Sequence, residues 1–150
     1  MTREEIYDLL TNTEISRVER TVSTSNMDKF QEAICAFSND ISNSRKNGYL
    51  IIGAHDNGEL SGLKVDDELF KKISSIRSDG NILPIPMMTC ERYELEGGYL
   101  LIVEVQPSFS TPVRYRGRTF IRIGPRRDIA TLDEERILSE KRVSNMATFD

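Results

Sequence analysis

Apolar side chains at Met27, Phe30, Ile34, Phe37 and Ile41 recur at steps of three and four. That spacing lines one face of a helix and predicts that the face lies on a sheet. After a polar loop, "GYLIIGA" from Gly48 is a continuous apolar run, so it predicts a central strand buried on both sides. Thr2 and Glu5 form a capping box that predicts a short helix to about Leu10, and "SRVERTVS" predicts a strand at Val18–Val22. Asn57-Gly58 predicts a type I′ hairpin turn, since both residue types tolerate positive φ. Leu69, Ile73 and Ile76 place a helix over Asp66–Arg77. Two strands flank Gly97-Gly98, and "VRYRGRTFIRIG" reads as one more hairpin turning near Arg116-Gly117. A second capping box, Thr131 to Glu134, opens the last helix.

This mixed order predicts one α+β domain over residues 1–142, a mixed β-sheet with hairpins packed by helices. The final "VSNMATFD", 143–150, lacks periodicity and reads as a linker toward a further C-terminal region. A length of 150 residues suits a single domain with a real core. No apolar run approaches the roughly 18–20 residues of a membrane span. The acidic, amphipathic start is not a secretory signal, and no membrane partner is expected. Cys35 and Cys90 lack CxxC spacing and His55 is the single histidine, which argues against a structural zinc site. Two lone cysteines fit a cytoplasmic location.

Charge changes the picture. Met1–Thr111 carries 11 basic and 18 acidic residues, net −7, and Asp128–Asp150 is net −3. Between them Pro112–Arg127, "PVRYRGRTFIRIGPRR", carries six arginines and no acid. Arg114, Arg116, Arg118, Arg122, Arg126 and Arg127 are therefore candidate phosphate contacts, since a guanidinium fork suits bidentate binding. Tyr115 and Phe120 are interleaved and suit stacking on an unpaired base. The competing reading is an edge hairpin protected by charge, with both aromatics in the core.

Glu14, Glu19 and Asp56 form a second candidate set. Three carboxylates can hold Mg²⁺ or Mn²⁺ and activate water against a phosphodiester. Against this, Glu14 caps a turn, Glu19 is a solvated strand residue and Asp56 initiates the hairpin. "GAHDNG", Gly53–Gly58, has the glycine spacing of a phosphate loop but lacks the Lys-[Ser/Thr] pair and runs into a hairpin, so no ATP site is expected. Cys35 and His55 have no accompanying nucleophile motif such as GxSxG.

Several segments together resemble the Schlafen AlbA-like (divergent AAA) domain: "AICAFSND" at Ala33–Asp40, "GYLIIGAHDNGELSG" at Gly48–Gly62, the arginine-rich segment, and "ATLDEE" at the last helix. Glu14 and Glu19 match two glutamates that precede the family's first helix over the sheet. Thr21 stands where the family usually has Lys, and "DISNSRKNG" replaces its short Gly-Gly turn. The resemblance implies the N-terminal, nucleic-acid-binding part of bacterial transcriptional regulators or of RecG-related, helicase-like proteins, with DNA expected ahead of RNA. In some eukaryotic relatives it implies metal-dependent RNA cleavage, with two glutamates and a downstream aspartate as the site. The rival readings are such a nuclease and a protein-interaction or homo-oligomerisation module. No cofactor is expected unless the carboxylates hold Mg²⁺ or Mn²⁺, and enzymatic activity is not expected of this segment.

Overall fold

Each helix starts at a residue whose side chain satisfies an otherwise orphaned N–H. Thr2 accepts from the Glu5 N–H at 3.1 Å and opens α1 (Arg3–Thr11). Asn26 opens α2 (Met27–Asn39) and Asp66 opens α3 (Asp67–Ser74), which a 3₁₀ turn extends over Ser75–Arg77. Thr131 and Glu134 exchange reciprocal bonds of 2.9 and 3.2 Å before α4 (Leu132–Ala147). The computed structural model describes residues 1–12 and 16–147, without the side chains of 145–147. Helix α4 thus continues into the stretch read as a linker.

The strands are β1 (Val18–Thr21), β2 (Gly48–Ile52), β3 (Ile82–Leu83), β4 (Met88–Leu95), β5 (Gly98–Val105), β6 (Arg114–Tyr115), β7 (Phe120–Ile123) and β8 (Arg126–Ile129). The main sheet has the order β1-β2-β5-β4, parallel at β1–β2 and antiparallel elsewhere. Two short ribbons, β3–β6 and β7–β8, complete an α+β fold. Strand β2 is interior and apolar on both sides, as its unbroken hydrophobic run requires. Ile51 packs with Ile6, Leu9 and Leu10 of α1, while Leu50 and Ile52 pack with Phe30, Ile34 and Phe37 of α2. Phe37 lies directly on the strand: a Cβ at Gly48 would sit 2.2 Å from its ring.

Two turns depart from the sequence reading. At "HDNG" only Gly58 has positive φ, so the turn is not type I′. His55 N–H donates to the Glu59 carbonyl and Gly58 N–H to the His55 carbonyl, a three-residue loop with glycine in the left-handed position. Asn57 stabilises it by accepting from the Glu59 N–H at 3.0 Å.

The second departure concerns "VRYRGRTFIRIG". Arg116 and Gly117 do turn the chain with positive φ at both residues, but only Tyr115 and Arg118 bridge across. Continuing that register would set Val113 opposite Phe120. Asn39, wholly buried, occupies the gap instead. Its Oδ1 accepts from Val113 N–H at 2.7 Å, and its Nδ2 donates to the carbonyls of Val113 at 3.0 Å and Phe120 at 2.7 Å. The would-be hairpin is held open, and its two arms pair outward with β3 and β8.

Candidate nucleic-acid interface

The opened hairpin sorts the six arginines. On β7, Phe120 and Arg122 point to the same side, because alternate strand residues share a face. Phe120 is core, so Arg122 also points inward. Its side chain is 9% exposed and pairs with Glu19 Oε1 at 2.8 Å. It also donates to the carbonyls of Val18 at 3.1 Å and Ser16 at 3.3 Å, and lies 5.1 Å from the Phe37 ring centre. Arg127 completes the arrangement, 3.4 Å from Glu19, 3.6 Å from Glu32 and donating to the Lys29 carbonyl at 2.9 Å. Both guanidinium groups join the β7–β8 ribbon to β1 and α2. As phosphate contacts they are corrected: Arg122 is engaged through Nε, Nη1 and Nη2, and Arg127 through Nε and Nη1.

The other four face solvent. Arg114 approaches Glu135 at 3.7 Å, and Arg116, with a 64% exposed side chain, approaches Asp28 at 3.9 Å. Arg118 and Arg126 are exposed, and among the described residues neither is in ion-pair range of a carboxylate. Ion pairs as loose and exposed as those of Arg114 and Arg116 are worth about 0–1 kcal/mol, so a phosphate can displace them.

Tyr115 is a further correction. It is 4% exposed, packs on Phe120 with ring centres 6.2 Å apart, and donates its hydroxyl to Asp28. Burial, then that bond, pushes its phenol up to about 12. Little of either ring is exposed, although both line a depression of about 360 Å³ with Arg116 and Arg118.

Of the three carboxylates, the two that are described, Glu19 and Asp56, do not share a face of the sheet. Glu19 is aligned with Leu50 and faces α2, whereas Arg20 is aligned with Ile51 and faces α1. Arg20 donates to the Leu9 carbonyl, and Asp56 opposes the lowering that burial imposes on the Arg20 pKa. The turn holding Asp56 abuts the same end of α1: a Cβ at Gly58 would meet the Leu10 carbonyl at 2.3 Å. Glu19 and Asp56 therefore belong to opposite faces of the sheet. Glu14 lies outside the described residues, and among those described no group of three potential ligands gathers. Lys29 brings an ammonium to the place where a lysine was expected, donating to Thr21 Oγ1 at 3.4 Å. Gly53–Gly58 leads into the hairpin and not into a helix N-terminus. Cys35 is buried and its thiol is pushed up to about 12 by burial, while His55 lies exposed in the turn.

Sequence reasoning missed a buried polar centre at the end of α2. Asp40 caps α2 in the left-handed region and is buried. It accepts from Ser44 and from the Arg45 N–H, and pairs with Arg17 at 3.3 Å and Lys141 at 3.7 Å. The signal was an Asn-Asp pair closing an apolar helix, a polar end where the stripe of Phe30, Ile34 and Phe37 stops.

A mixed sheet between α1 and α2, flanked by an arginine-bearing ribbon, defines an α+β domain with a cationic edge. The chain belongs to the family described as Schlafen, AlbA_2, whose model matches residues 14–131. The fold is similar to the N-terminal domain of an ATP-dependent DNA helicase RecG-related protein from Nitrosomonas europaea, with 22% identity and TM-score 0.52. That match covers 68% of this chain and 72% of the other. It is also similar to the DIP2311 protein from Corynebacterium diphtheriae, with 19% identity and TM-score 0.51 over 77% of this chain. The match spans 25% of the Corynebacterium chain. No curated protein matches. No helix among the described residues is long and apolar enough to cross a membrane.

Proposed function

We propose that this domain binds nucleic acid, DNA ahead of RNA, through its phosphate backbone, as part of a bacterial regulator or RecG-related protein. The observation that carries the reading is the sorting of the arginines. Arg122 and Arg127 anchor the ribbon, which leaves Arg114, Arg116, Arg118 and Arg126 in solvent. Family membership supports the reading, as does the likeness to a domain from a helicase-related protein. The four exposed arginines lie within thirteen residues of a chain that is net −4. Repulsion from distant acids is screened beyond about 8 Å in physiological salt, so a local cationic edge still attracts phosphate. Binding of this kind positions the protein and carries no base information.

The test is a titration of labelled single- and double-stranded DNA and RNA at two salt concentrations, with and without Mn²⁺. Removing one phosphate-binding arginine reduces the salt slope for duplex DNA by about 0.9. The Arg114→Ala, Arg116→Ala, Arg118→Ala triple variant should therefore show a clearly shallower slope, with similar weakening across sequences. Equal slopes in a folded variant would overturn the reading.

A further inference from the structure

We propose that the strap Leu83–Met87 beside the arginine turn contacts unpaired bases, so that the ligand of this surface is single-stranded nucleic acid. This rests on the phosphate-binding reading above and adds the substrate class to it. On the β3–β6 ribbon, Ile82 is paired with Tyr115 and Leu83 with Arg114. Directly paired residues project to the same side of a ribbon. Ile82 and Tyr115 are both buried, so they form the inner side, and Leu83 and Arg114 share the outer side. Apolar exposure continues along the strap: Leu83 is 56% exposed, Ile85 53% and Met87 45%, while Pro86 between them is buried. Three large apolar side chains in five residues thus stand in water with no partner element over them among the described residues.

Cations bracket the strap. Arg114 lies across from Leu83, and Arg116 N–H donates to the Asn81 carbonyl at 2.8 Å, which fixes the arginine turn to the strap's leading end. At the far end Met87 and Arg77 line one shallow depression of about 270 Å³, which Glu104 also lines. A single strand presents a charged backbone and apolar base faces side by side, whereas a duplex presents only phosphates and groove edges. An apolar strip between arginines matches the first chemistry. Proline, leucine, isoleucine and methionine reach base faces in a duplex only by wedging between steps and unstacking them, a cost that an unpaired strand does not impose. The sequence directs attention to Tyr115 and Phe120 as stacking residues, but both are core. The apolar surface that does reach solvent beside the arginines is aliphatic.

The chain contains no tryptophan, so Ile85→Trp introduces a unique fluorophore on the strap. With a labelled twelve-nucleotide oligo(dT), anisotropy reports binding and the Trp emission reports contact with a base. Binding accompanied by quenching is expected, together with little quenching by a blunt duplex of equal length. The Leu83→Ser, Ile85→Ser, Met87→Ser variant should bind the single strand about tenfold more weakly at unchanged salt slope. Its duplex affinity should be unaltered. Salt-dependent anisotropy without quenching would overturn the inference and leave the phosphate reading standing. Absence of any salt-dependent binding would overturn both. Quenching produced by raising the protein concentration alone would show that a second copy covers the strap, and would also overturn it. Should the triple serine variant fail to fold, the tryptophan variant still decides.

Discussion

Arg122 Nη1 and Glu19 Oε1 lie 2.8 Å apart, with both side chains almost withdrawn from water. Glu19 Oε1 also takes Arg127, while its buried Oε2 has no hydrogen-bond partner among the described residues. Removing one member of such a pair leaves the other charge stranded. Glu19→Ala is expected to cost about 3–5 kcal/mol. Urea unfolding checks this, and a change under about 1 kcal/mol would mean that water already screens the site.

Phe37 and Gly48 form a pair of a different kind. The ring occupies the volume that any Cβ at position 48 needs. Gly48→Ala is expected to destabilise by about 1–3 kcal/mol or more through overpacking. Phe37→Ala, which opens a cavity, should cost about 3–5 kcal/mol. The double variant should cost less than the sum, since the alanine at 37 makes room for the one at 48. Additive effects in urea unfolding would show that the two positions do not compete for space.

Long-period patterning was readable without the structure. The α2 stripe from Met27 to Phe37, the buried run of β2 and the capping boxes at Thr2 and Thr131 each follow from local rules, although α2 ends at Asn39 and leaves Ile41, the last residue of the expected face, in the turn beyond the left-handed Asp40. The ribbons were not readable, for a definite reason. Local turn chemistry at Arg116-Gly117 is satisfied, but Asn39, about eighty residues away in sequence from the strand it separates, takes the hydrogen bonds that would have closed the hairpin. The arginine cluster was visible as charge, yet its division into anchors and exposed residues depends on which side of β7 is covered. Alternation from Phe120 to Arg122 held that information, provided Phe120 was taken as core. The exposed strap at Leu83–Met87 carried no sequence signal at all, because apolar residues beside prolines read equally well as buried.

Cleavage of DNA or RNA is not expected with Mn²⁺ present. Glu19 is engaged by Arg122 and Arg127, and Asp56 stands on the opposite face of the sheet beside Arg20. Incubation of labelled RNA and DNA with the domain and Mn²⁺, resolved on a denaturing gel, should return intact substrate. Product that disappears in both Glu19→Gln and Asp56→Asn would restore the nuclease reading and require these two groups to come together during turnover.

The division of the arginines predicts two separable kinds of loss. Arg118 and Arg126 are exposed and hold no carboxylate among the described residues, so replacing them by alanine should leave stability within about 0.5 kcal/mol. The same changes should reduce the salt slope of duplex DNA binding by about 0.9 for each residue that contacts phosphate. Arg122→Ala should do the reverse. It frees a buried Glu19 carboxylate and removes packing on Phe37, so unfolding in urea should come earlier by about 3–5 kcal/mol. At a temperature where the variant remains folded, its salt slope should equal that of the wild type, because its donors were never available to a phosphate. Measuring both quantities on both sets of variants decides the matter. A lower slope for Arg122→Ala with unchanged stability would place the phosphate track on the Glu19 side of the ribbon, and the four outward arginines would then serve only to keep an exposed edge in solution.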